Sequence, residues 1–300
     1  MSTPPRPGQD GEPTRKPITL TKLAEMRALG EPIVMVTAYD FPSARAAELA
    51  GVDMVLVGDS GAMTVLGYPD TVPVSVDEML MLTRAVRRGL KTPLLVGDLP
   101  FGSYEASDAH AIATAHRFVK EAGCDGVKLE GGGASADRAR AIVRAGVPVM
   151  GHVGLTPQTA TMLGGYRAQG RTSARAREVL NDAVALQEAG CFAIVFEAIP
   201  AEVTDMLMGY MEIPVIGIGA GPSTDGQVLV LHDLLAIHDE FKPKFVKRFA
   251  AVKQEMLRGV EAYAEEVRTR RFPTAEHTYG IAPEELERFR SDLAPVPQQR

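Results

Sequence analysis

Short apolar segments recur along the chain, and a stretch with helical periodicity follows each of them. These segments are rich in valine, isoleucine and leucine and lack polar alternation: Pro32–Thr37, Val52–Gly58, Pro93–Gly97, Gly126–Leu129, Pro148–Gly151, Phe192–Phe196, Pro214–Gly217 and Val228–Leu231. Continuous apolar runs are typical of strands that are buried on both faces of a parallel sheet. Seven or eight β/α units favour a (β/α)8 TIM barrel, and a doubly wound open sheet is the alternative that the pattern leaves open.

The sequence also predicts how the chain is organised around this barrel. An extra helix at Leu20–Leu29 precedes the first strand, and a long helix at about residues 244–268 follows the last one. We predict one barrel domain over residues 18–273, preceded by a disordered tail at 1–17 that is rich in proline, glycine and charge. An extension at 274–300 is expected to be partly disordered, with room for one short helix.

Composition excludes several classes of function. The net charge of −6 argues against a nucleic-acid-binding protein, which would usually carry a basic face. Two cysteines, Cys124 and Cys191, form neither a disulfide framework nor a zinc-ligand pattern. No apolar run is long enough for a transmembrane helix, and the N-terminus lacks the apolar stretch of a signal peptide. We therefore expect a cytoplasmic protein that acts on small molecules, without a membrane or nucleic-acid partner.

Polar side chains concentrate where the predicted strands end. Five successive strands end in this way, with Asp59 and Ser60, then Asp98, then Lys128 and Glu130, then His152, and finally Glu197. An aspartate after a strand is often only a turn former, and His152 alone is more often a structural histidine. In a TIM barrel, however, the carboxyl ends of the strands build the active site. The series therefore predicts one shared site.

The residue types indicate the chemistry of that site. Asp59, Asp98 and Glu130 supply hard carboxylate oxygens, which suit Mg²⁺, and no histidine or cysteine cluster favours zinc. Lys128 shares a strand face with Glu130 and would be a cation for a substrate carboxylate or oxyanion. A 2-oxo acid that chelates such a metal becomes acidic at C3, because the metal stabilises the enolate. Glu197 lies on a different strand and is the candidate base.

At this point the chain resembles the ketopantoate hydroxymethyltransferase family. The resemblance runs from about Thr19 to His277 and rests on the order and number of its motifs: Val57–Ser60, Gly97–Phe101, Val127–Gly132, Gly151–Gln158, Gly164–Gly170, Phe196–Pro200, Ile216–Gly221 and Thr224–Gln227. It implies a (β/α)8 barrel that transfers a hydroxymethyl group from 5,10-methylenetetrahydrofolate to 3-methyl-2-oxobutanoate. The product is 2-dehydropantoate, and the reaction belongs to pantothenate biosynthesis.

The resemblance also assigns roles to residues. Asp59, Asp98 and Glu130 correspond to the Mg²⁺ ligands, and Glu197 to the proton acceptor. The ketoacid site corresponds to four positions, Asp59, Ser60, Asp98 and Lys128. His152 lies in a motif near the site. The folate site has only the loop Thr156–Gly170 and the turn Gly217–Gly221 as candidates. Family members are homo-oligomers, often decamers, so a decamer is expected.

Three other interpretations remain open at this stage. The chain could be a related Mg²⁺-dependent lyase or mutase of the phosphoenolpyruvate mutase and isocitrate lyase type, but these usually use a reactive loop cysteine. It could be a Schiff-base aldolase that uses Lys128, which would require a lysine of low pKa. It could also be a non-enzymatic, oligomeric binding barrel. Loss of one of the carboxylates would support that last interpretation, and all of them are present.

Overall fold

Eight parallel strands form a closed barrel in the computed structural model, which describes residues 15–238 and 243–293. The strands pair in sequence order, and β8 pairs with β1 to close the barrel. Their bounds are β1 Ile33–Thr37, β2 Met54–Val57, β3 Leu94–Asp98, β4 Gly126–Lys128, β5 Val149–Gly154, β6 Ala193–Glu197, β7 Val215–Ile218 and β8 Gly226–Leu229. The predicted TIM barrel is confirmed, and the doubly wound sheet is wrong.

Helices connect most of these strands. In the described residues they are α1 Leu20–Leu29, α2 Phe41–Ala50, α3 Gly61–Thr64, α4 Val76–Gly89, α5 Asp108–Ala122, α6 Ala134–Arg144, α7 Ser173–Glu188, α8 Ala201–Met208, α9 Leu231–Leu234, α10 Val252–Arg268 and α11 Pro283–Asp292. At several helices the side chain of the residue before the first turn accepts a backbone hydrogen bond and so determines where the helix begins. The Ser75 hydroxyl, for example, accepts a hydrogen bond from the backbone N–H of Glu78, and the Glu78 carboxylate accepts one from the backbone N–H of Ser75. The predicted N-terminal helix agrees residue for residue with α1.

The barrel interior is packed at its N-terminal end. Leu23 and Met26 of α1 belong to the same buried cluster as inward-facing strand residues such as Ile33 and Leu94. A second apolar cluster fills the layer between the strands and the surrounding helices. Helix α1 covers the N-terminal ends of the strands. Ligands therefore reach the barrel interior from the C-terminal ends of the strands.

Two predicted elements begin at different residues in the structure. The last strand spans Gly226–Leu229 rather than Val228–Leu231, because it follows a short loop after β7 with no helix between them. The long C-terminal helix begins at Val252 rather than near residue 244, where the chain has no regular structure.

The chain divides into two compact units, residues 1–250 and residues 251–300. The first contains the barrel, and the second contains α10 and α11. The predicted domain bounds at 17 and 273 stay predictions, and much of the predicted tail and the end of the extension lie outside the described residues. Within those residues, none of the helices has both the length and the apolar character that a membrane crossing requires.

Candidate active site

A cavity of about 560 Å³ lies at the C-terminal ends of the strands. All seven residues that the sequence singles out line it: Asp59, Ser60, Asp98, Lys128, Glu130, His152 and Glu197. They come from five neighbouring strands, whose parallel register brings their ends to one mouth of the barrel. The structure therefore unites in space the side chains that the sequence predicts as one site.

Three carboxylates and one lysine form the centre of this site. Asp59, Asp98 and Glu130 each offer an oxygen within 4.8 Å of the others, and all three side chains are buried. Lys128 Nζ donates to both carboxylate oxygens of Asp98, at 2.7 and 2.9 Å, and to Glu130 Oε1 at 3.3 Å. The one ammonium group thus contacts two of the three buried carboxylates, Asp98 and Glu130, which leaves an excess of negative charge around Asp59.

The pKa values of the cluster reflect its burial and this excess of negative charge. Burial, together with the neighbouring Asp98 and Glu130, raises the pKa of Asp59 well above its usual range. Burial also raises the pKa of Asp98, against the opposing effect of Lys128. Burial disfavours the charge of Lys128, but the surrounding carboxylates outweigh it and raise the lysine pKa. The cluster therefore holds a protonated lysine and at least one carboxylate whose charge is poorly compensated.

Gln158 ties two of the carboxylates together, and sequence reasoning did not single it out. Its Nε2 donates to Asp59 Oδ2 at 3.0 Å and to the carbonyl oxygen of Leu99 at 2.9 Å. Its backbone N–H donates to Glu130 Oε2 at 3.1 Å. The Tyr104 hydroxyl donates to Gln158 Oε1 at 2.8 Å, which fixes the orientation of the amide. Gln158 therefore holds Asp59 and Glu130 at a set separation.

We expect Gln158→Met to weaken the binding of Mg²⁺ or Mn²⁺ by roughly 10- to 100-fold, the usual effect of removing a group that orients metal ligands. Calorimetric titration of the purified variant with each cation measures this. Gln187→Met is the matched control, because within the described part of the chain the Gln187 side chain bonds to the backbone of Tyr210 and Glu212 and does not line the cavity. Equal cation affinity in Gln158→Met and the unaltered protein would contradict this role.

His152 lies between two glutamates of the site. Its Nδ1 is 3.2 Å from Glu130 Oε1, and its Nε2 is 3.3 Å from Glu197 Oε2. Burial disfavours the charged ring, but Glu130 and Glu197 outweigh this and raise the His152 pKa to about 9. Glu130 and Glu197 thus lie at opposite nitrogens of the His152 imidazole, at the same mouth of the barrel.

The backbone around Glu197 is closely fitted. Gly154, at the end of β5, has φ +96°, and a Cβ atom there would lie 2.2 Å from the carbonyl oxygen of Glu197. Only glycine suits such a conformation and approach. The Glu197 side chain itself is 17% exposed, in contrast to the fully buried carboxylate cluster. It is thus fixed at its backbone and open to the cavity at its carboxylate.

Ser60 is positioned by a buried tyrosine. The hydroxyl groups of Ser60 and Tyr39 share a hydrogen bond of 2.8 Å, and burial raises the pKa of Tyr39 to about 12. The next residue, Gly61, lies against the same ring, where a Cβ atom would come within 2.7 Å of Tyr39 Cδ1. Tyr39 is a second residue that the sequence did not reveal, because nothing in its local pattern differs from that of a core aromatic residue.

Taken together, the closed barrel and its acidic cavity define a TIM-barrel enzyme with a candidate divalent-cation site at the strand ends. Residues 17–275 match the sequence profile of the ketopantoate hydroxymethyltransferase family, and the chain belongs to that family. The resemblance inferred from the motifs is confirmed.

Curated relatives agree with this assignment over most of their length. The chain is 52% identical over 265 residues to the 3-methyl-2-oxobutanoate hydroxymethyltransferase of Moorella thermoacetica, covering 88% of this chain and 98% of that protein. It is 51% identical over 283 residues to the mitochondrial 3-methyl-2-oxobutanoate hydroxymethyltransferase 1 of Arabidopsis thaliana, covering 92% and 82%.

Among solved structures, 2,3-dimethylmalate lyase, a member of the PEP mutase/isocitrate lyase superfamily, has a similar fold. Its TM-score is 0.56 at 16% sequence identity, over 90% of this chain and 93% of that one. At such low identity the likeness concerns the fold alone.

Proposed function

We propose that this protein transfers a hydroxymethyl group from 5,10-methylenetetrahydrofolate to 3-methyl-2-oxobutanoate and forms 2-dehydropantoate, a step of pantothenate biosynthesis. The observation that carries the proposal is the buried cluster of Asp59, Asp98 and Glu130 beside Lys128, in a chain about half identical to enzymes of that name. The experiment that tests it supplies both substrates and Mg²⁺ to the purified protein and follows ketopantoate, with omission of each component as the control.

The carboxylate cluster fits a divalent cation. One carboxylate oxygen from each of the three buried residues lies within 4.8 Å of the others. Burial and the neighbouring carboxylates raise the pKa of Asp59, and a bound cation would neutralise this excess negative charge. Mg²⁺ held by Asp59, Asp98 and Glu130 would supply Lewis acidity, which makes the C3 hydrogen of a bound 2-oxo acid easier to remove. Gln158 would keep two of these three ligands in place.

The other residues of the site then have separate tasks. Lys128 would bind the negatively charged end of the ketoacid, with Asp98 holding its ammonium group in place. Ser60, oriented by Tyr39, would donate a hydrogen bond to the same substrate. Glu197 would accept the C3 proton, because its carboxylate faces the cavity outside the cation cluster. His152 would hold Glu197 at a fixed place relative to Glu130.

Nothing specific favours the lyase or mutase alternative beyond the shared fold. Neither Cys124 nor Cys191 lines the described cavity, and burial raises the pKa of both thiols to about 12. They therefore lack the thiolate character that a reactive cysteine needs. The raised pKa of Lys128 likewise argues against a Schiff base, which forms from a neutral amine.

We expect Lys128→Arg to lose most ketoacid affinity. The planar guanidinium cannot replace a compact ammonium that contacts Asp98 and Glu130 within a fully buried site. Equilibrium binding of 3-methyl-2-oxobutanoate measures the loss, and Lys120→Arg on the outer helix α5 is the control. Borohydride trapping of a substrate adduct on Lys128 would instead support the Schiff-base mechanism.

The proposal extends to a cytoplasmic homo-oligomer, a decamer in line with the family resemblance. An apolar series on α10 supports association. Its side chains are Met256, Leu257, Val260, Tyr263 and Val267, all exposed in the chain as described. Light scattering after size-exclusion chromatography determines the number of subunits.

A further inference from the structure

The cavity extends well beyond the carboxylate cluster. The rest of its lining, which we call its other wall, includes residues that follow β2 and β8, among them Met63, Thr71, Val230 and Asp233. A short-chain ketoacid fills only part of a cavity of about 560 Å³, which is the size of a pocket for a drug-sized ligand. A reaction that joins two substrates by a carbon–carbon bond requires both in one cavity, so this wall is available to the second.

Asp233 differs from the other carboxylates of the cavity. Asp59, Asp98 and Glu130 accept hydrogen bonds from Gln158 or Lys128, and the Glu197 carboxylate lies 3.3 Å from His152 Nε2. Asp233, on α9, is about half-buried, and no residue within the described ranges donates a hydrogen bond to its carboxylate. Burial raises the pKa of Asp233, against the opposing effect of the nearby His238 and Arg248. A ligand in the cavity can supply those donors.

Thr71 provides a second unsatisfied polar group on the same wall. Its side chain is 3% exposed, and its Oγ1 has no hydrogen-bond partner in residues 15–238 and 243–293. A buried hydroxyl without a partner is costly unless a ligand or water satisfies it. The same part of the lining includes Met63 and Val230, whose apolar side chains suit the face of a flat ring.

A half-buried carboxylate that can accept two hydrogen bonds matches a ligand with two adjacent N–H donors on one planar edge. The reduced pteridine ring of the one-carbon donor has such an edge, formed by its exocyclic amino group and the neighbouring ring N–H. We propose that Asp233 and Thr71 form the pteridine subsite, with Asp233 bonded to this edge and Thr71 to the ring's remaining polar atoms. The proposal rests on the function proposed above and names the wall that binds its second substrate.

Asp233→Asn tests the subsite, because the amide keeps the size of the side chain but places an N–H donor against the ligand's own donors. We expect the affinity for tetrahydrofolate to fall by roughly 10- to 100-fold, the loss typical of a hydrogen bond to a charged group. The affinity for tetrahydropterin, which lacks the rest of the folate molecule, should fall by the same factor. Thr71→Val should give a smaller loss for both probes, and Asp137→Asn, on the exposed face of α6, should give none.

Binding of 3-methyl-2-oxobutanoate in the presence of Mg²⁺, measured on the same variants, separates the subsite from a general packing role. Loss of ketoacid binding in Asp233→Asn in parallel with folate binding would overturn the subsite, as would a tetrahydrofolate affinity within twofold of the unaltered protein. A loss for tetrahydrofolate but not for tetrahydropterin would also overturn it, because the contact would then be to the tail. If the unaltered protein binds tetrahydrofolate but forms no ketopantoate, the proposed function is wrong. The subsite is then still decided by the tetrahydrofolate and tetrahydropterin affinities of Asp233→Asn.

Discussion

Glu197→Gln is expected to reduce the rate of hydroxymethyl transfer by about 10²- to 10⁴-fold, the usual contribution of a positioned general base. The substitution keeps the size of the side chain and removes its ability to accept a proton. Glu197 is outside the carboxylate cluster and 17% exposed to the cavity. Cation and ketoacid affinities should therefore stay close to those of the unaltered protein.

Exchange of the C3 hydrogen with deuterated solvent isolates this step. NMR of 3-methyl-2-oxobutanoate with protein and Mg²⁺, in the absence of folate, should show exchange with the unaltered protein and with Glu202→Gln, an exposed control on α8. The Glu197→Gln variant should show almost none. Exchange at the normal rate in that variant would identify another base, and His152 would be the first group to examine, since its Nε2 lies 3.3 Å from Glu197.

Asp59→Asn and Asp98→Asn are expected to abolish Mg²⁺-dependent activity but to have opposite effects on stability. Among the described residues Asp59 has no ammonium partner within hydrogen-bonding distance, and burial with its two acidic neighbours raises its pKa. Because an acid with a raised pKa destabilises the fold once it is ionised, removing its charge should raise the unfolding temperature at neutral pH without cation. The pKa of Asp98 is raised as well, but Asp98 accepts two hydrogen bonds from Lys128. Leaving that buried ammonium without its main carboxylate should cost more than removal of the Asp98 charge gains, so the replacement should lower the unfolding temperature.

Thermal unfolding with and without Mg²⁺ measures both effects. The unaltered protein should gain stability on adding the cation, since binding to the folded state alone is stabilising. Neither variant should show that gain. A cation-dependent rise in unfolding temperature that persists in both variants would place the cation elsewhere.

Much of the fold was predictable because its signal is local. Continuous apolar runs identify buried parallel strands, and seven of the eight were placed with nearly the observed bounds. The exception is β8, which the apolar residues at 228–231 shifted by two positions. Its first residues, Gly226 and Gln227, are not part of an apolar run. They belong to the sheet because their backbones pair with β1 on one side and β7 on the other. Such pairing is a tertiary effect that no local pattern contains.

The site was predictable only in part, and for a similar reason. Charged groups at successive strand ends are conspicuous in an α/β sequence, so the carboxylates and Lys128 could be selected before any geometry. Gln158, Tyr104 and Tyr39 are neutral and of ordinary types. Gln158 did fall within a family motif, Gly151–Gln158, but its bonds to Asp59 and Glu130 depend on how its loop folds over the barrel. Asp233 and Thr71 carried no sequence signal at all.

Closure of the barrel has a consequence for how the protein gains activity as it folds. The pairing of Ile33 with Gly226 joins residues from opposite ends of the barrel sequence. Such non-local contacts form slowly, because the entropy of a long loop must be lost before the contacts stabilise it. Helices can form earlier, but the acidic side chains converge only when neighbouring strands are in register. Recovery of activity from the denatured state should thus lag behind recovery of helical content and report on barrel completion.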